Sequence, residues 1–276
     1  MKSLKARLFT AVVGISLLLA ILFLGSFYPI IISCAVSAVT AFMAGEYLHA
    51  NNMLKKYFIS VPCIIFCIVM PLIVTTQYVY ITLVLFMLIC FSMLIFKHEK
   101  MDYRDFSYAI TGILLITFGM SALSALCLKG IAISFYFVTI FALPWMCDAG
   151  GFFVGATLGK HKLCPKVSPK KTIEGVIGGI VFCVISAIVI GLLFQYLFMT
   201  ELRFNFLALI LLGVADAIIS VLGDLSFSLV KRSLDIKDYS SIFPGHGGML
   251  DRFDSLIFTA PVMMAIDSFI PFVTMG

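Results

Sequence analysis

Apolar residues fall in nine long runs, near 8–24, 28–47, 57–75, 78–96, 107–128, 131–147, 174–199, 205–227 and 255–275, with short polar segments between them. Each run is at or near the roughly 20 helical residues needed to cross a hydrocarbon core. The pattern predicts an all-α, polytopic integral membrane protein of about nine transmembrane helices. Lys2, Lys5 and Arg7 precede the first run in the manner of a signal peptide. No small-residue cleavage site follows it and eight further runs do, so the first run is expected to be retained.

The polar segments carry the orientation. With the N-terminus in the cytoplasm and the sides alternating, 17 of the 19 Lys and Arg residues fall in cytoplasmic segments, leaving Lys129 and Arg203 outside. This is the positive-inside pattern. The net charge of +5 is therefore a topology signal and gives no reason to expect nucleic acid as a partner. Composition agrees: the chain is 62% hydrophobic and 12% charged over 276 residues, outside the range of soluble domains. The eight cysteines sit almost entirely inside apolar runs, as small buried hydrophobes and not as a disulfide framework or a metal set.

Chemistry-bearing residues are unevenly spread. Residues 1–106 read as a scaffold of about four spans, and 107–276 as a catalytic region of about five, with polar loops 159–173 and 228–254. Glu46, Tyr47 and His49 close the second run on the cytoplasmic side and read as a helix end. In the sixth run Asp148 is an acid in an apolar helix, which is costly and calls for a protein interior or a wet cavity. Glycines 151, 155 and 159 recur every fourth residue, a spacing suited to close helix packing. The next loop holds five lysines and ends in Ser168, Pro169, Lys170, Lys171 and Thr172, with Glu174 behind. That order suits a capped helix start, and lysines around a helix N-terminus suit an anion. Asp216 lies within the eighth run, and Asp267 in the ninth toward the outer side. Asp224, Ser228 and Lys231 are spaced to share one helix face.

The densest stretch is 228–254, which packs four basic residues, four aspartates and His246 around Pro244, Gly245, His246, Gly247 and Gly248. Glycine backbone lets main-chain amides approach a ligand, and flanking cations suit phosphate. Asp251 and Asp254 follow three residues apart, placing both carboxylates on one face of a helix. Paired hard oxygens suit Mg²⁺ bridging phosphates.

This stretch resembles the signature of the phosphatidate cytidylyltransferase family: Ser-x-x-Lys-Arg, Lys-Asp, Pro-Gly-His-Gly-Gly, then Asp-Arg-x-Asp. All of its positions are filled, by Ser228, Lys231, Arg232, Lys237, Asp238, Pro244 to Gly248, Asp251, Arg252 and Asp254. A second block of the family is matched by Asp148, Gly159, Lys160, Lys162, Leu163, Ser168 to Thr172, Glu174 and Gly175. One departure is Phe227, where the family commonly has Glu, so that Glu is not expected to be essential.

The resemblance implies that CTP and phosphatidic acid give CDP-diacylglycerol and pyrophosphate, at the cytoplasmic face of a bacterial inner membrane. It implies Mg²⁺, with Mn²⁺ as substitute, held by Asp224, Asp251 and Asp254. Lys170, Lys171, Lys231 and Arg232 would clamp phosphates. Ser168, Ser228, Lys237, His246, Gly247, Gly248 and Arg252 would complete substrate binding. Asp148 is a second metal-site carboxylate or a cytosine reader. The bilayer and the two substrates are the expected partners, and a homodimer is left open. Two alternatives differ in what they require: a transporter would place its charges at mid-membrane and show an inverted repeat, and a CTP-dependent lipid kinase is separable by its product.

Overall fold

A computed structural model of the chain describes residues 2–130, 132–243 and 247–275. Among them are nine α-helices, one on each apolar run: α1 (Lys2–Phe27), α2 (Ile30–Ala50), α3 (Tyr57–Ile73), α4 (Val79–Phe96), α5 (Tyr103–Cys127), α6 (Ile133–Leu158), α7 (Ile173–Leu193), α8 (Phe206–Ser233) and α9 (Leu250–Phe269). Six of these (α2 and α4 to α8) are long and apolar enough to cross a membrane, and α1 and α3 hold shorter apolar segments. α9 is less uniform because Asp251, Arg252, Asp254 and Asp267 interrupt it. The chain is an all-α polytopic membrane protein.

The helices differ from the apolar runs at their ends. α6 continues to Leu158 and α8 to Ser233, so Asp148, Asp224, Ser228, Lys231 and Arg232 all stand on helix. α9 stops at Phe269, because Pro271 disfavours helical backbone in the residue before it. The chain then forms strand β4 (Val273–Met275), antiparallel to β3 (Leu202–Phe204). Nor is the basic loop irregular. Strands β1 (Lys162–Cys164) and β2 (Ser168–Thr172) make a hairpin, turned at Pro165 with the Val167 N–H donating to the Cys164 carbonyl at 3.1 Å.

Two compact units share the chain: Met1–Leu128 with Ser233–Phe253, and Lys129–Arg232 with Asp254–Gly276. The first holds α1 to α5, with a core that includes Leu48, Ile59, Cys63, Phe66, Cys67, Cys90 and Ile113. In it Cys67 Sγ lies 3.1 Å from Thr117 Oγ1, and Ser33, Ser124 and the Pro71 carbonyl form a buried hydrogen-bond chain at 2.8 and 2.7 Å. Lys56 pairs with Asp105 across 2.5 Å.

In the second unit α6 and α7 meet along glycines. A Cβ on Gly175 would stand 2.8 Å from the Gly151 carbonyl, and one on Gly150 2.7 Å from the Gly178 carbonyl. The four-residue glycine spacing thus serves close backbone approach, and neither helix can give way without moving its neighbour. Gly175→Ala is expected to destabilise the detergent-solubilised protein by about 1–3 kcal/mol, the cost of overpacking. A melting temperature equal to wild type would show that α6 and α7 can separate freely. At the other end of this unit Asp267 is buried. It pairs with Lys129, accepts from Tyr136 Oη at 2.9 Å, and accepts the Phe272 N–H at 3.0 Å. Its role is to fasten the end of α9 to the start of α6.

Candidate functional site

The second unit gathers the acids and lysines of α8, α9 and the hairpin. Asp224, Ser228 and Lys231 stand at i, i+4 and i+7 on α8, and Ser228 Oγ donates to Asp224 Oδ1 at 3.3 Å. At Gly223 the helix comes close to α9: a Cβ there would lie 3.0 Å from the Asp254 carbonyl oxygen and 3.1 Å from Ser255 Cα. That approach brings Asp254 within electrostatic reach of Asp224, Lys231 and Asp148. Phe227, where the family commonly has Glu, is buried and meets the Phe258 ring edge-on at 6.1 Å. At this position the chain has packed against α9 and not placed another acid.

Lys231 and Asp254 are each only 8% exposed. A buried ion is tolerated only when paired or hydrogen-bonded, so the cluster compensates itself by charge. From the hairpin, Lys171 Nζ reaches Asp224 Oδ2 at 2.6 Å, with both side chains partly shielded. Lys170 is exposed, because successive residues of a strand point to opposite faces. The hairpin is tied to α7 by Thr172, the N-cap, whose Oγ1 accepts the Gly175 N–H at 3.1 Å. Glu174 accepts from His161 through the backbone N–H at 3.2 Å and pairs with Nδ1 at 2.6 Å. Ser168 is partly buried, and Arg232 and Asp148 are exposed.

Among the described residues no three His, Cys, Asp or Glu side chains converge to hold a metal ion unaided. The fit to Mg²⁺ is of a different kind. Asp224 and Asp254 are neighbouring like charges, one of them buried, and Mg²⁺ commonly takes one or two carboxylates and completes its shell with substrate phosphates and water.

In the first unit two carboxylates fix the loop that carries the glycines. Asp251, 8% exposed, accepts at Oδ2 from the N–H groups of Tyr239 and Gly248, both at 2.9 Å. One oxygen of this carboxylate, which the sequence marks as a metal ligand, thus closes a turn. Gly247 has φ of +81°, a conformation that favours glycine, and its carbonyl accepts the Phe243 N–H at 3.0 Å. Glu46, at the end of α2, accepts at Oε1 from Ser240 Oγ (2.5 Å) and the Met249 N–H (3.0 Å), and at Oε2 from the Leu250 N–H (2.7 Å). A Cβ on Gly248 would lie 2.7 Å from Glu46 Oε1, so this glycine is needed for the approach. Lys237 and Arg252 are exposed, and Pro244, Gly245 and His246 lie outside the described residues.

The sequence marks Glu46 as a helix end, and the structure makes it a structural centre of the loop. One signal was available: it is the sole acidic residue before Glu99. An isolated carboxylate among apolar helices needs donors, and these come from 194 to 204 residues away.

The cytidylyltransferase family matches over residues 5–270. A phosphatidate cytidylyltransferase of Staphylococcus haemolyticus is 31% identical over 267 residues, 94% of this chain and 97% of that protein. Phosphatidate cytidylyltransferases of Staphylococcus aureus (strain COL) and Staphylococcus saprophyticus are each 32% identical, over 269 and 270 residues, with the same coverage. Similarity runs from end to end and includes both charged blocks. The chain belongs to the cytidylyltransferase family.

Proposed function

We propose that this enzyme transfers the cytidylyl group of CTP to phosphatidic acid, forming CDP-diacylglycerol and pyrophosphate for phospholipid synthesis. The observation that carries the reading is the cluster of Asp224, Asp254, Lys171 and Lys231 on one unit of a membrane protein of this family. An oxygen of the lipid phosphate attacks the α-phosphorus of CTP, and the bond to the bridging oxygen of the β-phosphate breaks as pyrophosphate leaves. A phosphate monoester carries a charge of −1.5 to −2 at neutral pH, so it needs no general base. The difficulty is to bring two polyanions into line, and positioning with charge neutralisation supplies most of the catalysis.

Lys171, paired with Asp224, and Lys231, within electrostatic reach of Asp254, are the proposed phosphate partners. Asp224 and Asp254 would hold Mg²⁺, which when bound supplies positive charge to the triphosphate and the departing pyrophosphate. Ser228 hydrogen-bonds Asp224 and fixes its rotamer. Lys170 and Arg232 on this unit, and Lys237 and Arg252 on the other, are exposed and are proposed to attract the anionic substrates from water. The site is proposed to face the cytoplasm, where CTP is made, with the N-terminus on the same side.

Labelled CTP decides the reaction. With phosphatidic acid and Mg²⁺, label at the α-phosphorus is expected in lipid and label at the γ-phosphorus in pyrophosphate. Label from the γ position in lipid would instead make the chain a lipid kinase. Chelation of divalent ions is expected to stop transfer and Mn²⁺ to restore it; full activity in excess chelator would remove Mg²⁺ from the scheme.

A further inference from the structure

We propose that Glu46 is a positioning residue for this reaction: from α2 it latches loop residues 234–243 and 247–249 and the first turn of α9. The inference rests on the reading of cytidylyl transfer given above. Three observations carry it. Glu46 is 6% exposed, and among the described residues no Lys or Arg pairs with it. Its charge is met instead by Ser240 Oγ and two backbone N–H groups at the start of α9. Those amides have no acceptor inside the helix, and a helix N-terminus favours negative charge. Finally, Gly248, which belongs to the signature, is packed so closely on this carboxylate that any side chain would displace it.

The platform beneath Glu46 is rigid. The adjacent Tyr47 stacks on Tyr108 of α5 at 4.5 Å and 5°, and donates through Oη to the Tyr108 carbonyl at 3.1 Å. Its ring covers Gly112, where a Cβ would overlap it, and Tyr239 of the loop lies 6.2 Å away on the same aromatic group. Asp251 holds the loop's own turn, and Glu46 holds that turn to the scaffold. The N-terminal helices therefore contribute to the reaction a fixed support for the loop.

The test uses the full chain in detergent. Glu46→Gln keeps the volume but sets an NH₂ group against the Leu250 N–H or the Met249 N–H, whichever way the amide turns. Amide hydrogen exchange across residues 239–250 is expected to rise at least tenfold, with exchange in α6 to α8 unchanged. The KM for CTP should rise about tenfold, with a smaller change in kcat. Ser240→Ala removes one donor without touching a transmembrane helix and should shift the same segment in the same direction by less. Glu46→Asp keeps the charge, draws it back by one methylene, and should fall between wild type and Gln. Wild-type exchange at 239–250 in both Glu46→Gln and Ser240→Ala would overturn the latch, whatever their activity. Faster exchange there with unchanged KM and kcat would also overturn it, by making the contact structural only. If the wild-type protein failed to put α-label into lipid, the cytidylyl reading would fall, while the exchange result would still judge the latch.

Discussion

Asp254→Asn is expected to lower kcat/KM for cytidylyl transfer by about two to three decades, the range for loss of one preorganised electrostatic group. Asn matches Asp in volume, and its remaining oxygen can keep the Ser255 N–H, which Asp254 Oδ1 accepts at 2.7 Å. The change is therefore one of charge and not of packing. Without divalent ion the variant should melt no lower than wild type, because the burial of the charge and its repulsion from Asp224 and Asp148 outweigh the lost attraction to Lys231. With Mg²⁺ and CTP the wild type should gain melting temperature by linkage, and the variant should gain little. Asp224→Asn should behave similarly, with a lower melting temperature because Lys171 loses its counter-charge. An Asp254→Asn enzyme with a tenth or more of wild-type activity would exclude that carboxylate as a principal metal ligand.

The second large effect separates two adjacent lysines. Lys171→Gln is expected to cost about one to two decades in kcat/KM, matching the roughly 1.5–3 kcal/mol of a lost charge-assisted hydrogen bond. It removes a phosphate partner and also leaves Asp224 without the ammonium 2.6 Å away. Lys170→Gln should cost less, because its side chain leaves the other face of β2 and its charge acts through water. Arg at 171 keeps the charge but alters donor geometry and should recover activity only in part. Equal losses at the two positions would mean that β2 does not present them to opposite faces when substrate is bound. Steady-state kinetics with CTP varied at saturating lipid measures both.

Helices and loop composition were legible in the sequence to different degrees. The nine helices were visible because an apolar run of the right length has few other uses. The Asp224, Ser228 and Lys231 face was visible because helical spacing fixes it before any tertiary contact forms. The hairpin was not, since strands of three and five residues offer no period to detect and their lysines resemble any basic loop. The end of α9 was misplaced by six residues, although Pro271 marked it; the apolar residues beyond Phe269 hid that stop. Glu46 and Asp251 were harder still. Their work consists of accepting backbone N–H groups, and a backbone donor leaves no trace in residue identity. The split of the chain into its two units was equally hidden, because Ser233–Phe253 joins α1 to α5 through tertiary contacts, such as those to Glu46 and Tyr47, that no local pattern announces.

The separation of Glu46 from Leu250, 204 residues, also sets a timetable for synthesis. At about 5–20 residues per second, a ribosome delivers the second roughly 10–40 s after the first. For most of that interval the nascent α2 sits in the bilayer with an acid whose eventual donors have not been made. Water at the membrane edge must serve it meanwhile, which confines Glu46 to the end of the helix and forbids it the middle. A ribosome that stalls before residue 240 leaves this acid unmet, so early termination exposes a defect in the oldest part of the chain. Membrane quality control could read that defect without ever sensing the missing end.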